Sequence, residues 1–191
     1  MRSTVVRLLA LSTLFGAAAC GDDGTGSTRL TTQDVAAVYR LCTLRFVPQN
    51  TAFPAANLLE RVVDTTPPAG KLEPTLTLFA DRPEYQLAYT RSDAASQDLR
   101  STVSFTGGDE VLLRFYTDED NRGQVPSELL LPADARLRFQ TGPRRLSTAG
   151  VRTYSVSRRD YARAAGVDES GFAATIPGTL DISLREGSCA F

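Results

Sequence analysis

Ser101-Thr102-Val103-Ser104-Phe105-Thr106-Gly107-Gly108-Asp109-Glu110-Val111-Leu112-Leu113-Arg114-Phe115-Tyr116-Thr117 reads as a β-hairpin. Two runs rich in β-branched and aromatic residues flank Gly107-Gly108, a pair that fits the positive-φ positions of a tight hairpin turn. In the second run Val111, Leu113 and Phe115 fall on one side, with Leu112, Arg114 and Tyr116 on the other. That period of two belongs to a strand with one face against a core.

The same alternation recurs on both sides of this hairpin. Tyr39 to Val47 is rich in β-formers and ends at Pro48. Leu72 to Phe79 and Glu84 to Arg91 flank the turn residues Asp81-Arg82-Pro83. Ala135 to Gln140, Val151 to Ser157 and Thr179 to Glu186 complete the set, the last with Leu180, Ile182 and Leu184 opposite Asp181, Ser183 and Arg185. Helical signals are sparse. Ser157-Arg158-Arg159-Asp160 is capping-box-like and the run ends at Gly166, while Thr31 or Thr32 is placed to cap a turn ahead of the first strand. The expectation is an all-β domain over residues 31–191, an antiparallel barrel or sandwich of about eight strands with one or two short helices.

The first 19 residues are set apart from this domain. Arg2 and Arg7 precede an apolar run from Leu8 to Phe15, followed by the small residues Gly16 to Ala19. Ala17-Ala18-Ala19-Cys20 resembles the lipobox of bacterial lipoproteins, with Ala17 where that family usually carries Leu. The resemblance implies that residues 1–19 are a signal peptide and that Cys20 is diacylated and becomes the new N-terminus. A plain secretory signal cleaved near Ala19 is the alternative. A spanning anchor fits less well, because the apolar stretch is shorter than the ~18 residues a bilayer requires. Residues 20–30 open with Gly21-Asp22-Asp23-Gly24, small and polar, and read as a flexible tether. Acyl chains bind a bilayer with about 0.8 kcal/mol per buried methylene, and more than one is needed for stable anchoring. The family resemblance implies a cell-envelope location with Cys20 attached to the membrane. Gly21 in place of the Asp linked to inner-membrane retention points to the outer membrane, on its periplasmic face or at the surface.

Composition limits the chemistry. Removal of Arg2 and Arg7 with the leader takes 21 basic side chains to 19, against 22 acidic ones, for a net −3. That balance excludes a protein built to coat nucleic acid. Beyond Cys20 the cysteines are Cys42 and Cys189, which in an oxidising compartment read as a disulfide; two separate buried thiols are the alternative. The chain contains no histidine. This removes Ser-His-Asp and Cys-His nucleophiles, His-ligated zinc and the commonest general base, so no catalytic residue is assigned and the chain is read as a non-enzyme. Asp118-Glu119-Asp120 opens like a calcium loop, which makes Asp118 and Asp120 weak metal candidates. Arg122 and Leu129 then stand where further ligands belong, and a solvated turn is the favoured reading. Arg144, Arg145, Arg158 and Arg159 are candidate anion-binding residues within an arginine-rich stretch, set against the simpler reading that they face water. No cofactor is implied.

A short apolar turn leading into an aromatic first strand, with hairpins to the end, resembles the lipocalin or wider calycin architecture. Ala37-Val38-Tyr39 stands where that family has Gly-x-Trp, and Arg185 is placed to pack over Tyr39 as the family's late arginine packs over its tryptophan. The resemblance implies a barrel that binds a small apolar or amphiphilic ligand in its interior. The alternative is an envelope interaction or assembly protein whose barrel is filled by side chains; a carboxylate-based hydrolase ranks third.

Overall fold

The computed structural model describes residues 29–115 and 127–189. Cys20, residues 21–28 of the expected tether, Tyr116 and the metal candidates Asp118 and Asp120 lie outside the described residues.

In chain order the elements are α1 (Thr32–Val35), β1 (Ala37–Pro48), β2 (Ala56–Asn57), α2 (Leu58–Arg61), β3 (Val63–Asp64), β4 (Thr75–Leu78), β5 (Glu84–Arg91), β6 (Ser96–Gly107) and β7 (Glu110–Arg114). A 3-10 turn (Ser127–Leu129), β8 (Asp134–Gln140), β9 (Arg145–Thr148), β10 (Thr153–Ser157), α3 (Arg158–Ala165) and β11 (Thr175–Glu186) follow. Eight strands pair antiparallel in the order β1-β4-β5-β6-β7-β8-β9-β11, and β11 returns to β1, so the sheet closes as a barrel and not a sandwich. The opening hairpin forms β6 and β7. Gly107 pairs with Glu110 across a register shift, which places the turn on Gly108-Asp109, one residue later than the Gly-Gly pair implies. Both glycines have positive φ, 123° and 55°.

The closing seam is nine registered pairs long, from Tyr39↔Glu186 to Pro48↔Gly178, with a bulge at Cys42. The bulge explains a break in the β1 alternation: Tyr39 and Leu41 point inward before it, Leu44 and Phe46 after it. Cys42 is bonded to Cys189 at 2.08 Å, tying the first barrel strand to the chain beyond the last. At Gly178 the backbone passes so close to β1 that an added Cβ would lie 2.3 Å from the Phe46 ring and 2.6 Å from the Val47 carbonyl.

Inward positions are apolar and outward ones polar. Leu99 and Val103 are buried on β6, with Asp98, Arg100, Thr102 and Ser104 outside; on β8, Ala135, Leu137 and Phe139 alternate with exposed Arg136 and Arg138. A membrane-spanning barrel has the opposite pattern, with an apolar outer band. This wall is built to face water.

Both barrel ends are closed. At one, the segment from Arg29 to Ala36 crosses the opening: Arg29 donates to the Phe105 carbonyl (2.7 Å), Thr32 to Ala80 (2.8 Å) and Arg144 to the Ala36 carbonyl (2.9 Å). The Asp34 carboxylate accepts from both the N–H and the hydroxyl of Thr31, and Val35 inserts from α1. At the other end Phe46, Tyr154, Tyr161, Phe53 and Phe172 meet edge-on or tilted, with centroids 4.7–6.4 Å apart. Ser157 caps α3 as its sequence predicts, accepting from the Asp160 N–H at 3.1 Å, and Gly166 ends it with φ 68°. Among the described residues three short helices are present where one or two were expected, α2 being the addition.

Candidate functional site

The barrel interior is the first place to look for a binding site. Tyr39, Phe46, Val111, Leu113, Leu137, Leu146 and Leu184 have no exposed surface at all, and Leu44, Leu76 and Tyr85 are 1% exposed. A void large enough for water would leave accessible surface on the side chains that line it. These have almost none, and the other inward residues, Leu41, Leu99, Ala135 and Leu180 among them, are at most 7% exposed, so side chains take up the axis, as the width of an eight-strand barrel allows. Tyr39 donates to the Val35 carbonyl (2.6 Å) and Tyr85 to that of Arg114 (2.7 Å), so their hydroxyls are spent on the backbone. Burial pushes the Tyr39 phenol up to about 12, and also raises Tyr85, Tyr89, Tyr154 and Tyr161. Among the described residues the Tyr89 hydroxyl is buried without a hydrogen-bond partner.

The guanidinium that acts on Tyr39 is that of Arg144, which arrives from the β8–β9 turn. Arg185, the residue the calycin resemblance selects, takes the outward register of β11 with Asp181 and Ser183.

The four candidate anion-binding arginines do not converge. Arg145 pairs with Arg185 near the end of β11, whereas Ser157, next to Arg158, pairs with Thr175 at its start. Ten residues of strand separate them, roughly 30 Å at ~3.3 Å per residue. The linear cluster misleads because β9 and β10 are neighbours in sequence but bind opposite ends of one long strand. Arg144 is used on Ala36 and Arg145 on Gln140. Arg136, Arg138 and Arg152 face Glu110, Asp109 and Asp134. The side chains of Arg158 and Arg159 are exposed and make no hydrogen bond or ion pair among the described residues. Those residues also contain no cluster of three or more His, Cys, Asp or Glu side chains arranged to hold a metal.

Two of the depressions among the described residues stand out. One is an open groove beside the α1 end, bordered by Leu30, Asp109, Phe139, Pro143 and Arg145. The other, about 230 Å³, opens in the wall where β9 leaves β11 and β10 takes its place; Ala133, Ala135, Thr148, Gly150, Tyr154 and Leu180 line it. At this gap the Thr148 hydroxyl replaces the missing ladder, accepting from the Ile182 N–H at 2.9 Å and lying 3.3 Å from the carbonyls of Leu180 and Ile182. Val151, 84% exposed, stands beside it. Neither depression is legible in the sequence, since each depends on which strand pairs with which.

No protein-family model, curated protein or solved structure matches the chain.

Proposed function

We propose that this is a lipid-anchored, non-catalytic envelope protein whose barrel is a rigid body that presents its outer surface to a partner. The observation that carries this reading is the filled interior: the positions that would enclose a ligand in a hollow barrel are taken up by Phe46, Leu113, Leu137 and their neighbours, which have no exposed surface. Anchoring rests on the leader and Cys20. That cysteine lies nine residues before Arg29, which belongs to the α1 end. The α1 end then faces the membrane, and the α3 end projects away from it. An enzyme of the carboxylate-pair kind has little support, because Asp109, Glu110, Asp134 and Asp181 each stand against an arginine on the outer wall.

A second reading, the lipocalin-like one, is compatible with the closed barrel and is favoured by the cleft beside Tyr154 and Leu180. A small apolar or amphiphilic ligand would sit there and not on the barrel axis. Native mass spectrometry of the soluble Cys20→Ser form decides between them. The surface reading expects the bare polypeptide mass, and a stoichiometric lipid adduct overturns it. Metabolic labelling with a palmitate analogue tests the anchor: label on the wild type and none on Cys20→Ser is expected, and equal labelling of both removes it.

A further inference from the structure

We infer that the outer edge of β10 accepts an extended, acidic segment of a partner protein as an added strand; the inference rests on the surface reading above and names its partner's chemistry. β10 is paired with β11 along one side, and among the described residues no strand pairs with the other. The direction of its free groups follows from one residue. Ser155 lies opposite Pro177, which has no N–H and whose carbonyl accepts from Gln49 on the β1 side (2.9 Å). Pro177 therefore gives β10 no backbone bond. In an antiparallel ladder bonded and non-bonded pairs alternate, so the N–H and C=O of Ser155 point outward, away from the barrel.

Open edges are usually blunted by lysine, proline, a bulge or a covering element. Thr153-Tyr154-Ser155-Val156-Ser157 has no charge and no proline, and its register with β11 is unbroken. The wall cleft lies alongside, lined by Thr153 and Tyr154 of β10 and by Ala133 and Ala135. A strand laid on this edge finds backbone partners on β10 and apolar contacts in the cleft, the arrangement of β-strand addition.

Charge selects the occupant. Arg158 and Arg159 follow the edge directly, and their guanidinium groups are unpartnered among the described residues. At the other end Arg152 is neutralised by Asp134 at 2.7 Å. A second copy paired antiparallel about Ser155 sets Arg152, already paired with Asp134, opposite Arg158 and so brings it no unpaired acid. Acidic side chains on an incoming strand meet Arg158 and Arg159 instead.

The test is amide-resolved NMR titration of the Cys20→Ser protein with a blocked peptide of alternating valine and aspartate, and with its lysine counterpart. Shifts centred on Thr153, Ser155 and Ser157 with the aspartate peptide alone are expected. Binding falls by about tenfold in Arg158→Glu/Arg159→Glu, a surface change that leaves the fold intact, and is lost in Ser155→Pro, which removes the outward N–H. The absence of shifts at these amides, equal binding of both peptides, or shifts elsewhere overturns the inference. So does a concentration-dependent dimer abolished by Ser155→Pro, which assigns the edge to a second copy. A lipid adduct in the mass spectrum instead defeats the surface reading itself, so the two failures are distinct.

Discussion

Replacing Cys42 and Cys189 by serine, in the soluble Cys20→Ser background, cuts the covalent link between the first barrel strand and the chain beyond the last. The bridged residues are 147 apart in sequence. In the chain-entropy model a closed loop of that length removes roughly 17 cal/mol/K from the unfolded chain, or about 5 kcal/mol at room temperature. The native state loses little of its own, because the seam the bridge spans is still held by the β1–β11 ladder. The loss therefore comes mainly from a freer unfolded state. For a domain of this size about 5 kcal/mol corresponds to a fall of roughly 10–20 °C in Tm. Urea unfolding followed by circular dichroism reads the same quantity, and the m-value should rise because the unlinked chain expands further. Stability within about 1 kcal/mol of the bridged protein, with m unchanged, refutes the reasoning.

Four tyrosines are held above their ordinary range with Tyr39, which is pushed up to about 12. The folded state keeps these protons where the unfolded chain releases them, so their contribution is complete below pH ~10 and declines as pH rises toward 12. Absorbance at 295 nm should show phenolate appearing cooperatively with alkaline unfolding; independent ionisation of all tyrosines near pH 10 in folded protein is the contrary result. Thr148→Val leaves the Ile182 N–H unpaired at the wall gap and should cost about 1–3 kcal/mol, with Thr148→Ser restoring most of it in denaturant melts. Gly178→Ala forces a methyl against the Phe46 ring and the Val47 carbonyl and should destabilise by about 1–3 kcal/mol; a neutral outcome contradicts the close approach of β11 to β1.

The parts of the fold that show in the sequence are those whose local pattern agrees with their environment. β7 and β11 alternate cleanly because one face of each meets the filled interior. β9 does not show, since Arg145-Leu146-Ser147-Thr148 offers a single apolar residue and its strand character comes from lying between β8 and β11. The polar start of β6, Ser96-Gln97-Asp98, is likewise held in place by pairing with β5. In β1 the bulge at Cys42 shifts the inward parity, which the sequence records only as a blurred alternation. The candidate site was less legible. Arg158 and Arg159 stood out by charge, but their separation from Arg144 and Arg145 is a matter of topology. That no described strand covers the outer edge of β10 depends on where β9 ends, and the filled interior on how side-chain volumes sum across eight strands; neither quantity is local.

The filled barrel is the claim on which the functional account turns, and Val111→Phe tests it most directly. Val111 faces inward and has no exposed surface. A filled core has no space for the larger ring, so urea unfolding should show a loss of about 1–3 kcal/mol. Unchanged or increased stability would mean that the interior holds room for a ligand, and would contradict the account.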